Sequence, residues 1–244
     1  MGRAPRGAPH FEERTMHYRL RENLSCCDVD GHLIFLDIEQ DRYFKLTGTL
    51  EKAMRCFQAR KDVDPTLVES LVAARILVET PNPPRHATGA ASIRRPTCSA
   101  VERPATIAGQ RIDMPIVLEV MALVWSTHHQ LKTCALKTTL DDTSAYRDRK
   151  IGAHGDVTPA VAEGKLLQAS GQFARARRYV PFEPVCLLDS LSLLRFLSRR
   201  CLPANIVFGV TPEPFAAHCW VQAGDIILNE TLSDTTAYTP IRTI

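Results

Sequence analysis

The sequence predicts an α+β protein built as two domains, and three observations carry that prediction. The chain has 244 residues, and at about 150 residues per domain this gives roughly 1.6 domains. Its first third holds short β-like runs separated by turn signals and followed by helical patterns. Its last third runs from strong helical periodicity into strands, and a proline-rich break at residues 83–110 separates the two regions.

Composition narrows the class. Apolar residues make up 45% and charged residues 23%, the balance of a soluble globular protein with an ordinary core. No apolar run reaches the length of a membrane span, and the first twenty residues lack the apolar stretch of a signal peptide, so a cytoplasmic protein with no membrane partner is expected. The net charge of +3 is too small to call for nucleic acid. Eight cysteines in such a compartment read as thiols rather than as a disulfide framework.

Residues 1–17 are rich in Gly, Pro and Arg and read as a flexible tail. An N-terminal domain is expected over 18–82. Its first part is a three-stranded antiparallel meander: LSCCDV, then HLIFLDI after the turn signal Asp30-Gly31, then RYFKL after a polar triplet. Leu50, Ala53, Met54 and Phe57 then recur at helical spacing, and Pro65 opens a second helix with Leu67, Val68, Leu71 and Val72 inward. The run ILVE at 76–79 is expected to rejoin the sheet.

Residues 83–110 read as a linker. The second domain, 111–244, opens with a helix from Pro115 to Lys132, passes through a polar stretch without clear pattern, and resumes helix at Thr158 to Arg177. After Pro184 comes the amphipathic run CLLDSLSLLRFLSRRC, and after Pro203 the strands NIVFGV, AHCWVQA and DIILNE.

Chemistry concentrates at Cys186. A thiol attacks carbonyls only as thiolate. The partial positive charge at a helix N-terminus lowers its pKa, and the free N–H groups there can hold an oxyanion. Leu187, Leu191, Leu194, Leu197 and Cys201 form one helical stripe, which places Cys201 in the core and Cys186 at the open head. His218, on a following strand, supplies a general base and then an imidazolium partner; its neighbour Cys219 should face the other side of that strand and simply pack. For the residue that orients the imidazole, Asp225 lies in the turn, roughly 23 Å away along a straight strand. A three-residue loop at 223–225 pairs Gln222 with Ile226 and sets Glu230 opposite His218, whereas a one-residue change of register favours Asn229. Glu230 is preferred and Asn229 stands second.

The segment from about 175 to 230 resembles the B proteins of lasso-peptide biosynthesis, transglutaminase-like cysteine proteases that remove the leader from a ribosomal precursor. The marks are Cys-Leu-x-x-Ser-Leu-x-Leu-Leu from Cys186 to Leu194, Leu-Pro-Ala at 202–204, the strand ending Gly209-Val210, and Pro-Phe-Ala-Ala-His-Cys-Trp-Val leading to Asn229-Glu230. The resemblance implies a transglutaminase- or papain-like domain with Cys186, His218 and Glu230 as catalytic residues. It departs at Glu230, where an aspartate is usual, and at Cys201, where a glycine is expected. The N-terminal HLIFLDIEQDRYFKLTGTLEKAMRCF is similar to the small winged-helix, PqqD-like elements that bind leader peptides in such pathways. That implies a fusion in which the leader adds as a strand beside Arg42 to Leu46 and the helix Pro65 to Ala74, touching Tyr43, Phe44, Leu67, Leu71 and Arg75. The implied partners are the precursor's leader and an ATP-dependent, asparagine-synthetase-like cyclase. No cofactor is implied for this chain, and any ATP requirement would arise through the cyclase. Two other readings are a transglutaminase-like acyltransferase and a non-catalytic chaperone that presents the precursor.

Other features point to less. His128, His129, Cys134 and His154 suggest zinc, but adjacent helical residues point about 100° apart, and no metal site is expected. Cys26 and Cys27 face opposite sides of a strand. The arginines at 175, 177, 178, 195, 199 and 200 read as a solvated face. No Walker-type phosphate loop is present.

Overall fold

The computed structural model describes residues 17–59, 61, 63–81, 94–103, 113–152 and 159–244. The chain divides into two compact units: residues 1–22 with 47–87, and residues 23–46 with 88–244. This differs from the boundary expected near residue 82. The meander β2 (Leu24–Val29), β3 (His32–Asp37) and β4 (Arg42–Lys45), anticipated as part of a self-contained N-terminal domain, belongs with the C-terminal residues.

The smaller unit holds β1 (His17–Leu20), α1 (Gly48–Gln58), α2 (Pro65–Ala73) and β5 (Leu77–Thr80). Asp64 caps α2 by accepting from the Thr66 N–H at 2.9 Å, and Pro65 fills the first turn, where no amide donor is needed. The run at 76–79 does not rejoin the meander. It pairs antiparallel with β1, Leu20 opposite Leu77; the run HYRL carries no apolar alternation that would announce a strand.

In the larger unit the remaining elements are β6 (Cys98–Ser99), α3 (Met114–Thr133), α4 (Leu136–Gly152), α5 (Pro159–Arg177), α6 (Cys186–Arg199), β7 (Asn205–Pro212), β8 (Phe215–Ala223), β9 (Ile226–Ile227), α7 (Leu232–Thr236) and β10 (Thr239–Thr243). The sheet order is β10-β7-β8-β9-β6, antiparallel except for the β6–β9 pair. The expected linker therefore contributes an edge strand to this sheet; the tail and the rest of the linker lie mostly outside the described residues.

Helix α6 is buried around its whole circumference, which a one-sided stripe does not predict. Leu191, Leu193, Leu194, Phe196 and Leu197 are all fully buried. Its inward serines are tolerated because Ser192 and Ser198 donate to the carbonyls of Leu188 and Leu194, both at 2.7 Å. The meander joins the same apolar core through Cys27, Val29, Ile34, Leu36 and Ile38, and Arg242 of β10 donates to the Ser25 hydroxyl at 3.2 Å. The polar stretch after residue 133 is the regular helix α4. Its buried positions include Thr139 and Thr143, whose hydroxyls donate back to Ala135 and Thr139, so helical burial hides behind polar residue types.

Cys201 is not part of the α6 stripe. The helix ends before it, Cys201 N–H donates to Ser198 O at 3.0 Å and Leu202 N–H to Leu197 O at 3.1 Å, and Cys201 itself has φ +56°. This is a Schellman termination with a cysteine in the left-handed position that glycine favours, which accounts for the glycine expected there.

Candidate active site

Cys186 opens α6. The preceding Val185 is extended and offers no side-chain cap, and the first intrahelical bond runs from Asp189 N–H to Val185 O at 2.9 Å. The N–H groups of the first turn thus have no intrahelical carbonyl. Arg177, 9% exposed, holds the approach in place. Its Nε donates to Asp189 Oδ1 at 2.6 Å, and its other nitrogens donate to the carbonyls of Val180, Phe182 and Glu183 at 3.0–3.3 Å. One guanidinium ties the loop before the cysteine to the first turn after it. Burial raises the Asp189 carboxyl above its ordinary range while Arg177 opposes that shift.

Three groups meet the Cys186 sulfur. The Cys219 side chain is the strongest of the influences that bring its pKa down to about 4, followed by the His218 side chain, against the upward push of burial; the Cys219 backbone also donates to it. A sulfur surrounded by donors is stabilised as thiolate. Cys219 itself, 2% exposed, is held well above the ordinary thiol range by its hydrogen bond to Cys186 and by burial, and so remains a neutral donor. His218 is raised to about 9, first by its bond to Cys186 and then by Glu230. Between those two values the pair stands as thiolate and imidazolium.

Glu230 Oε1 lies 3.4 Å from His218 Nε2, which leaves Nδ1 as the ring nitrogen for the sulfur. The route to this contact is not the expected one. The hairpin loop has two residues, Gly224 (φ +62°) and Asp225, with Ala223 opposite Ile226 and Gln222 opposite Ile227; continued, that register would set His218 against Thr231. Instead β9 stops at Ile227 and residues 228–230 bend, pinned by hydroxyls from distant segments. Ser170 donates to Leu228 O, and Ser99 to Glu230 O at 2.6 Å. Asn229, the second candidate, is engaged elsewhere: its Oδ1 accepts from Val221 N–H at 2.7 Å and its Nδ2 donates to Ser190 Oγ at 3.1 Å, linking β8 to α6.

The His218 ring is flanked by Tyr238 and Trp220, at centroid distances of 5.3 and 6.3 Å. Gly209 sits directly across β7–β8 from His218, and a Cβ there would lie 2.8 Å from the Trp220 ring and 2.9 Å from Tyr238 Cβ. The glycine leaves the room that the Trp220 ring and Tyr238 occupy beside His218.

The five residues expected to touch a leader peptide fall in both units, Tyr43 and Phe44 in the larger and Leu67, Leu71 and Arg75 in the smaller. Tyr43 and Phe44 alternate to opposite faces of β4. Tyr43 packs on the core that holds Cys186, its ring 5.7 Å from that of Phe215, while Phe44 stacks on Phe35 at 5.0 Å. Leu71 is 0% exposed and offers no surface to a peptide, a correction that follows from its inward place on α2. Leu67 is half-buried and Arg75 exposed, the latter at φ +56° just past the helix.

Residues 133–243 match the family model described as the transglutaminase-like superfamily. This stretch is similar to transglutaminase-like domains. "Microcin J25-processing protein McjB" of Escherichia coli is 39% identical to the chain over 49 residues, 20% of this chain and 24% of that protein. The chain thus matches about a quarter of that relative's length. No solved structure matches.

The matched stretch contains Cys186, His218 and Glu230, together with Asn229, which the sequence offers as the alternative to Glu230, and Arg177, Ser190 and Cys219, to which the sequence assigns no part in the site. Three arginines read as a solvated face are structural. Besides Arg177, Arg195 donates to Thr127, Gln130 and Thr143, and Arg200 pairs with both oxygens of Glu119 while lying 3.5 Å over the Phe196 ring. Among the described residues no cluster of three or more His, Cys, Asp or Glu could hold a metal; His128 instead packs on Phe182 at 4.7 Å, and His154 lies outside the described residues. Cys27 is pushed up to about 12, chiefly by burial. No helix among the described residues is long and apolar enough to cross a membrane.

Proposed function

We propose that the protein is a cysteine peptidase that removes the leader from a ribosomally synthesised lasso-peptide precursor, and the observation that carries this reading is the Cys186–His218–Glu230 alignment at the head of α6. The Cys186 thiolate attacks the carbonyl of the last leader residue. The C–N bond of the tetrahedral intermediate breaks as the His218 imidazolium gives its proton to the leaving amine. Neutral His218 then takes a proton from water, which attacks the thioester and releases the leader carboxylate. Glu230 holds the ring in the orientation this shuttle needs and stabilises its charged form. The name of the similar Escherichia coli protein, a microcin J25-processing protein, supports the choice of substrate class.

The leader is held, in this reading, as an added strand on β4, the edge of the meander, with backbone hydrogen bonds supplying affinity. An ATP-dependent cyclase consumes the freed core amine. Hydroxylamine added during turnover tests the chemistry. A thioester intermediate gives the leader as a C-terminal hydroxamate in competition with the acid, whereas an uncleaved precursor with no hydroxamate rejects it and leaves a presenting protein.

A further inference from the structure

Three serines of α6, Ser190, Ser192 and Ser198, are fully buried, and they do not behave alike. A helical serine shut off from water ordinarily donates to the carbonyl four residues back, as Ser192 does to Leu188 O and Ser198 to Leu194 O. Ser190 stands one turn along α6 from Cys186 and forgoes the Cys186 carbonyl. Its hydroxyl crosses to β8 and donates to Cys219 O at 3.3 Å, while its oxygen accepts from Asn229 Nδ2 at 3.1 Å.

Strand β8 lacks a ladder partner at that point. β9 pairs with Gln222 and Ala223 and then stops. Val221 N–H is met instead by Asn229 Oδ1 at 2.7 Å, and Val221 O by the Leu228 N–H at 2.9 Å. Backbone groups alternate between the two edges of a strand, so Cys219, two residues from Val221, faces the edge that β9 has left. Ser190 supplies the donor there. The resulting chain runs from Asn229 through Ser190 to Cys219, and each member adjoins a residue of the triad: Cys219 follows His218, Asn229 precedes Glu230, and Ser190 lies one turn from Cys186.

We propose that Ser190 and Asn229 are positioning residues of the site, a brace that holds β8 and the bend at 228–230 against the head of α6 and so keeps His218 in line between the Cys186 sulfur and the Glu230 carboxylate. Neither side chain touches the reacting atoms. Linked donors and acceptors strengthen one another in a dry interior, and loss of the Ser190 hydroxyl leaves both Cys219 O and the Asn229 amide without their partner.

What the aligned groups accomplish rests on the peptidase reading, whereas the alignment itself can be measured without a precursor. In the full chain with the full-length precursor, Ser190→Ala and Asn229→Ala should each lower kcat about 10- to 100-fold and leave KM within about threefold. The double variant should fall little further than the worse single, because the two residues act as one unit. Ser192→Ala deletes an equally buried hydroxyl of the same helix and should leave kcat unchanged. Circular dichroism verifies that each variant is folded. Alkylation of Cys186 by iodoacetamide should begin at higher pH in Ser190→Ala and in Asn229→Ala than in the wild type, and at the wild-type pH in Ser192→Ala. Arg177, Asp189 and Glu230, the charged groups around the pair, are untouched in all of them. Wild-type turnover and alkylation in Ser190→Ala overturn the proposal. Equal losses in Ser190→Ala and Ser192→Ala also overturn it, because the hydroxyl would then serve packing alone. A wild type that binds the precursor without cleaving it removes the peptidase reading, and a raised alkylation onset in Ser190→Ala would still uphold the brace.

Discussion

The Glu230 carboxylate reaches His218 Nε2 at 3.4 Å from outside the β-ladder, after the strand that would have carried it has ended. Its aim depends on the bend at 228–230 and on the hydroxyls that pin that bend. Glu230→Gln keeps the size and removes the charge. His218 should then lose one of the influences that raise it, and the alkaline limb of the cleavage profile should move to lower pH, with kcat reduced about 10- to 100-fold. A pH–rate profile of the variant checks this; an unmoved alkaline limb would mean that Glu230 does not act on the imidazole.

The pKa shifts define a pH window. Cys186 is lowered to about 4, so the thiolate forms as pH rises through that value; His218 is raised to about 9, so the imidazolium is lost as pH rises through that one. Alkylation of Cys186 should begin near pH 4, and peptide cleavage should decline near pH 9 as the proton for the leaving amine disappears. The two groups titrate as a pair, so each value belongs to the pair. Cys219→Ala, which removes the strongest downward influence, and His218→Ala should each move the onset of alkylation upward. An onset already at the ordinary thiol range, about 8.5, in the wild type would contradict the ion pair.

Gly209→Ala places a methyl group 2.8 Å from the Trp220 ring. Overpacking of this kind costs about 1–3 kcal/mol, and here the displaced indole lies beside His218. Lower stability by chemical denaturation should therefore accompany a lower kcat. Unchanged values for both would show that the indole has room to move.

Cys201 occupies a left-handed position with φ +56°. Replacing it with glycine relieves a cost of about 1 kcal/mol for an L-residue there, so Cys201→Gly should raise the melting temperature by a few degrees and leave cleavage unaffected. A lower melting temperature would mean that the thiol's own contacts outweigh the backbone strain.

What could be read in the sequence was local. The helix head at Cys186 and the strand at His218 follow from periodicity and turn residues, and both lie where those signals place them. Glu230 was reached through a three-residue loop, whereas the chain makes a two-residue turn and then leaves the sheet. The contact exists because Ser99 and Ser170 hold the bend, and neither lies near it in sequence. Cys219 was set aside because its side chain alternates away from His218. That rule holds, yet the head of α6 meets both its side chain and its backbone. The affiliation of the meander was equally hidden, since the same alternating strands serve either partner and only tertiary packing sets them on the core of the larger unit. The glycine expected at 201 shows the opposite case, a single departure whose structural meaning is a backbone conformation.

The central claim is that Cys186 performs the cleavage. Purified wild-type protein and Cys186→Ala, each incubated with the full-length precursor, with and without a cyclase and ATP, can be followed by intact mass. Release of free leader by the wild type and none by Cys186→Ala, at equal precursor binding, is the expected result. Leader release that survives the substitution, or an intact precursor in every wild-type reaction, would contradict it.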